Sequence, residues 1–209
     1  MSLEYAILGF LRERPMTGYE LKTACFDVSA SHFWTADQSQ IYRTLDRLED
    51  RAQVSVKRQR QRSRPDRLIY SITASGARDL DTWITRAEPP PPVRDPFLVR
   101  LRFAEHLTEA DLLGVLHARR ETLQQRLETL RKRASASTVH GPHEPVGHAS
   151  VLSRLSLDAA MARLRAEIDW IDDSVEMLAT TFEQERVLEP GAQGRLFAPK
   201  TSTPEGGAR

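Results

Sequence analysis

The stretch from Asp37 to Thr73 constrains this chain more than any other. Ile41, Leu45 and Leu48 recur at the spacing of one helical face, in a helix that starts near Asp37 or Ser39. Gln38, Ser39, Gln40, Tyr42, Arg43 and Arg47 are its polar or amphipathic side chains, free of that apolar stripe. Two runs rich in β-branched and aromatic residues follow, Val54–Arg58 and Arg67–Ile72, and Pro65-Asp66 marks a turn between them. Residues 51–67 hold seven basic side chains (Arg51, Lys57, Arg58, Arg60, Arg62, Arg64, Arg67) and a single acid, Asp66. Positive charge gathered on a hairpin is what phosphate binding needs, beside a helix whose leading edge can enter a DNA groove.

The flanks complete the unit. Leu3–Arg14 is a helix with Leu3, Ile7, Leu8, Phe10 and Leu11 inward, and Pro15 stops it. Thr17 with Glu20 three residues on forms a capping box that opens a second helix through about Phe26. Residues 29–35 connect to the next helix and carry Phe33 and Trp34 as core plugs. Thr73 caps a fourth helix with Leu80, Trp83 and Ile84 inward. Three helices, a two-stranded wing and a closing helix give a winged helix-turn-helix over residues 1–87, and the chain as a whole is α+β, mainly α.

Prolines from Pro89 to Pro96 exclude a helix and mark a semi-rigid linker over residues 88–96. The region 97–186 is all helical. A short helix spans Phe97–Glu105, and Thr108 starts a long one with Leu113, Leu116, Leu123, Leu127, Leu130 and Ala134 in heptad register. Residues 135–150 read as a loop. The last helix, Val151–Glu185, carries Leu157, Met161, Leu164, Ile168, Ile171, Val175, Leu178 and Phe182 in steps of four and three. Such a seam packs helices along one another. A helix of this length, about 45 Å at 1.5 Å per residue, exceeds what one hairpin shields, so the seam is expected to be a coiled-coil-like homodimer interface. Residues 187–209 read as a disordered tail.

Composition narrows the function. The net charge is +1 over 209 residues, so the basic hairpin is local and the protein is no polycation. Cys25 is the sole cysteine, which rules out an intrachain disulfide and, among apolar neighbours, reads as a buried thiol. No phosphate loop, dinucleotide fingerprint or serine elbow occurs, so neither an enzyme nor a cofactor is expected. His140, His143 and His148 sit among Gly and Pro without cysteine, and no metal is expected there. Nothing approaches membrane-spanning length, and the protein reads as cytoplasmic.

These residues resemble the PadR family of transcriptional regulators over about residues 3–185. The opening helix and Pro15-Met16-Thr17-Gly18-Tyr19-Glu20-Leu21-Lys22 are similar to the family's first helix and turn. Phe33-Trp34 with Gln40–Glu49 resembles its recognition helix, and Arg67–Gly76 its second wing strand and following turn. Arg94-Asp95-Pro96-Phe97-Leu98 and Glu167–Trp170 resemble the helical domain of the longer subgroup. Two departures stand out. The family commonly has Gly after the recognition helix, where Asp50-Arg51-Ala52-Gln53 stands, and often Pro after the tyrosine, where Arg43 follows Tyr42.

The resemblance implies a dimeric, ligand-responsive repressor on an inverted-repeat operator in double-stranded DNA. The DNA-binding set is then Tyr19, Gln38, Ser39, Gln40, Tyr42, Arg43 and Arg47 with Lys57, Arg58, Arg60, Arg62 and Arg64. A small aromatic effector is expected where the domains meet, with Trp83, Phe97, Phe103 and Trp170 as apolar walls. The rival reading is a coiled-coil interaction module with the winged helix as scaffold. A scaffold has no need of arginines alternating along one strand face.

Overall fold

A computed structural model of the chain describes residues 2–60, 66–89, 92, 94–137 and 148–188. They fall into two compact units, Met1–Pro91 and Pro92–Arg209.

The first unit begins with α1 (Ser2–Glu13) and a two-residue strand, β1 (Met16–Thr17). The Thr17 hydroxyl accepts from the Glu20 N–H at 3.2 Å while the Glu20 carboxylate accepts from the Thr17 N–H at 2.8 Å, the capping box that opens α2 (Gly18–Glu20). This turn runs on as a π-helix over Leu21–Ser29, three residues beyond the end read from the sequence. Helix α3 (Gln38–Asp50) follows, then β2 (Val54–Gln59), β3 (Arg67–Ile72) and α4 (Ala74–Thr85). The sheet is antiparallel in the order β1-β3-β2, with Val54 opposite Ile72, Gln59 opposite Arg67 and Met16 opposite Tyr70. Ile7, Leu8, Leu11, Leu21, Phe26, Ile41, Leu45, Leu48, Val54, Tyr70 and Leu80 make one core. Cys25 lies in that core, and burial raises its thiol pKa. Trp34 packs on the same core, but Phe33 and Ile84 are more than half exposed. A connector residue has no periodicity to fix its direction, and Ile84 sits in the last turn of α4, beyond the core.

The junction between α3 and the wing is defined by backbone. The Gln53 N–H donates to the Leu48 carbonyl and the Ala52 N–H to that of Glu49, both at 2.8 Å, and Ala52 is left-handed with φ 54°. This is a Schellman cap, so the helix does end in a left-handed residue although no glycine is present. A Cβ in that region costs about 1–2 kcal/mol. Ala52→Gly is therefore expected to stabilise the unit by about 0.5–1 kcal/mol, read from urea unfolding, with an unchanged or lowered midpoint as the contrary result. On the far side, the Thr73 N–H donates to the Gln53 carbonyl at 3.0 Å, and a Cβ on Gly76 would lie 2.2 Å from that oxygen. Only glycine lets α4 seat there.

In the second unit, Asp95 caps α5 (Pro96–Arg102), its carboxylate accepting from the Phe97 N–H at 2.8 Å. Helix α5 is shorter than the expected Phe97–Glu105. Thr108 caps α6 (Glu109–Ser137), accepting from the Asp111 N–H at 3.2 Å, and α7 spans His148–Leu188. Both helices run into what reads in the sequence as a loop over 135–150. Arg120 pairs with Asp172 and Arg186 with Glu109, which makes α6 and α7 an antiparallel hairpin. Leu116, Leu123, Leu127, Leu130 and Ala134 meet Leu157, Met161, Leu164, Ile168 and Ile171 in its core, with Val175 and Leu178 partly buried against it. Phe182 is also buried. Near the start of α6 the buried residue is Leu112, with Leu113 half-buried.

The seam assigned to a dimer is thus filled within the chain. The physical reason is that α6, at 29 residues, runs long enough to cover it. Arg119 ties α6 to α7 and to the cap of α5: its Nε donates to Glu167 at 2.8 Å, a terminal nitrogen donates to Asp95 at 3.3 Å, and its guanidinium lies 5.1 Å from the Phe97 ring centre.

Candidate nucleic-acid interface

The start of α3 is built by its own side chains. The Asp37 carboxylate accepts from the Gln40 N–H at 2.7 Å, and Gln40 Oε1 accepts from the Asp37 N–H at 3.2 Å. After that cap the first turn has no acidic residue. Its unpaired N–H groups and positive dipole end suit a phosphate. Gln38, Ser39, Gln40, Arg43 and Arg47 are exposed, while Ile41, Thr44, Leu45 and Leu48 hold the opposite face in the core.

Two of the candidates are partly engaged at home. Tyr42 is half-buried and lies so close to Gly18 that a Cβ there would come within 2.6 Å of its ring. Arg47 donates to the Thr44 hydroxyl at 3.1 Å and sits 3.8 Å from Glu4, which also pairs with Arg51 at 3.4 Å. Arg43 donates its Nε to the Ser39 carbonyl at 3.3 Å. Tyr19, on α2, is 63% exposed.

On the wing, Lys57, Arg58 and Arg60 are exposed, and Arg62 and Arg64 lie outside the described residues. Strand alternation puts Val54, Val56 and Arg58 on one face and Lys57 on the other. The face that begins in the core therefore ends in arginine. Glu20 holds the tip end of β3: it lies 3.6 Å from Arg67, which stands opposite Gln59, and 3.7 Å from Arg14. The Thr17 N–H and hydroxyl, then Arg67 and Arg14, hold the Glu20 carboxyl below its ordinary pKa. The sequence shows the capping box but not this bridge to the wing, which depends on β1 pairing with β3.

The aromatic candidates for an effector are divided between the units. Trp83 stacks on Tyr5 in the first unit, ring centres 4.6 Å apart. In the second, Phe97 is buried with Trp170 edge-on at 6.5 Å, and Phe103 is 72% exposed. Phe103 lines an open apolar groove along α5 with Leu98, Val99, Arg94 and Arg102, of about 870 Å³. Among the described residues, no three His, Cys, Asp or Glu side chains are grouped to hold a metal, and no helix is long and apolar enough to cross a membrane. His140 and His143 lie outside the described residues.

A winged helix-turn-helix followed by a long helical hairpin defines a class of transcriptional regulators, and sequence comparison agrees. Residues 7–82 match the transcriptional regulator PadR-like family, and residues 93–179 match the virulence activator alpha C-terminal domain. A probable transcriptional regulator of Mycobacterium tuberculosis is 34% identical over 190 residues, which covers 85% of this chain and 98% of that protein. The negative transcriptional regulator PadR of Bacillus subtilis is 28% identical over 182 residues, 84% of this chain and 97% of its own. The structure of that PadR with operator DNA superposes with a TM-score of 0.73 at 26% identity, covering 85% of this chain and 99% of that one. Its structure with p-coumaric acid gives 0.70 at 25% identity, covering 85% and 95%. The chain belongs to the PadR-like family of transcriptional regulators.

Proposed function

We propose that this regulator is a homodimer that binds an inverted-repeat operator in double-stranded DNA and represses transcription until a small aromatic effector releases it. The observation that carries the reading is the exposed start of α3, capped by Asp37 and without an acid in the first turn that follows, in a unit that also bears Lys57, Arg58 and Arg60 on its wing. The relative solved with operator DNA supports the same assignment. Gln38, Ser39, Gln40 and Arg43 are placed to read base edges and nearby phosphates, and the wing to hold the flanking backbone.

The test is an electrophoretic shift with the DNA upstream of the protein's own gene, against scrambled DNA of equal length. Gln38→Ala is expected to reduce discrimination between the two by about 1–3 kcal/mol per half-site, with the salt dependence intact. Gln40→Ala is a less clean probe, because it also removes the acceptor for the Asp37 N–H. Equal loss on both DNAs from Gln38→Ala would overturn the docking of α3 in the groove.

The effector reading draws on the p-coumaric acid bound by the B. subtilis relative. A series of aromatic carboxylic acids is expected to contain one that changes tryptophan fluorescence and lowers operator affinity together. A flat response with unchanged affinity across the series would refute regulation by this class of compound.

A further inference from the structure

The exposed side of α3 has two flanks of opposite charge. At about 100° per residue, Gln40, Arg43 and Arg47 fall on one flank, and Asp46 and Glu49 on the other. The basic flank borders a cleft of about 670 Å³, where Gln40, Arg43, Thr44 and Arg47 face Trp34 and Thr35. A polyanion is drawn to the basic flank and turned away by the acidic one, which puts Arg47 inside the contact.

The Arg47 side chain already has a direction. Its Nε donates to the Arg43 carbonyl at 3.3 Å. Nη2, which shares an edge of the guanidinium with Nε, donates to the Thr44 hydroxyl at 3.1 Å. Thr44 is buried, so that hydroxyl is a fixed point. Nη1 faces Glu4 of α1 across 3.8 Å, an ion pair too long for a hydrogen bond. The Glu4 side chain is only 12% exposed, and its second oxygen accepts from Arg51 at 3.4 Å, which holds it between α1 and the end of α3.

A guanidinium carries five N–H groups in one plane. Arg43 and Thr44 take those of one edge. The outer edge keeps one N–H on each terminal nitrogen, side by side, on a side chain that is 58% exposed. Two parallel donors match the O6 and N7 acceptors of guanine in the major groove.

On the reading that α3 docks in that groove, we propose that Arg47 reads a guanine in each half-site and that Glu4 is its positioning residue. Glu4 limits the rotamers of a long side chain before DNA arrives, so less freedom is lost on binding. Its charge also offsets that of Arg47 and weakens the arginine's sequence-blind attraction to phosphate. Specificity is gained on both counts.

Selection from a random double-stranded DNA library by the full chain tests this, because relative base preference does not depend on the fraction of protein folded. Wild type is expected to enrich a guanine at one position of each half-site by about tenfold over the other bases. Arg47→Ala should abolish that preference and leave the remaining positions enriched. Glu4→Gln, which keeps the shape and removes the charge, should lower the guanine preference several-fold and leave the remaining positions as they are. A guanine preference intact in Glu4→Gln, even with tighter binding to every sequence, would overturn the positioning role. So would its loss together with the preference at every other position, the mark of a residue that only holds the unit together. An enriched sequence without the guanine, or a guanine that Arg47→Ala leaves in place, would overturn Arg47 as its reader while docking of α3 stands. No enrichment by wild type would remove the operator reading as well.

Discussion

Replacing Arg58 and Arg60 together by alanine is expected to flatten the slope of log affinity against log salt by about 3 to 4 units, the largest effect on DNA binding expected from the wing. Each phosphate contact contributes about 0.9 to that slope, and the proposed dimer would lose both arginines twice. Both side chains are exposed, Arg58 at the far end of β2 and Arg60 just beyond it, while the strand's root at Val54 is buried, so the substitution leaves the core untouched. Affinity should fall alike on operator and scrambled DNA, because phosphate contacts position the protein without reading sequence. An unchanged slope in a titration between about 0.05 and about 0.2 M salt would mean that this strand does not touch the backbone. A selective loss on operator alone would make the two arginines readers of bases instead.

Ile171→Asp is expected to destabilise the helical unit by about 4–5 kcal/mol. Ile171 is 0% exposed in the hairpin core. Truncating a buried aliphatic side chain already costs about 2–5 kcal/mol, and a carboxylate without a partner adds desolvation. Helix content followed through urea unfolding reads the effect directly. Met177→Glu, on the exposed side of the same helix, is expected to leave that transition in place. A native-like midpoint for Ile171→Asp would mean that the inner seam is not the core of the hairpin. The contrast between the two substitutions tells the core-facing side of α7 from its exposed side.

Much of the DNA-binding unit is legible in its residues because the signals there are local. Thr17, Asp37 and Thr73 each accept from a backbone N–H three residues on, and a cap of that kind can be read from four consecutive letters. The faces of α3 and the limits of β3 follow from periodicity for the same reason. The less legible parts depend on partners distant in sequence. Strand β1 is two residues long, too short for an alternation, and exists because β3 offers it an edge. The seam on α7 is plain as a pattern, yet a pattern does not state whether α6 or another chain fills it. At the interface, the exposure of Gln38 and Arg43 is readable, whereas the engagement of Arg47 with Thr44 and Glu4 needs α1 in place.

The junction after α3 has a consequence for control. With Ala52 holding a left-handed turn, its carbonyl and that of Gln53 accepting from the Thr73 hydroxyl, and Gly76 of α4 pressed on the Gln53 carbonyl, the turn from α3 into the wing is closely held. A signal can hardly reshape such a reading head. In the proposed dimer it would act on how far apart the two heads stand and on their phase around the double helix. Half-sites recur every 34–36 Å, one turn of DNA, so the protein would be switched as a pair of calipers is reset, with each tip unchanged.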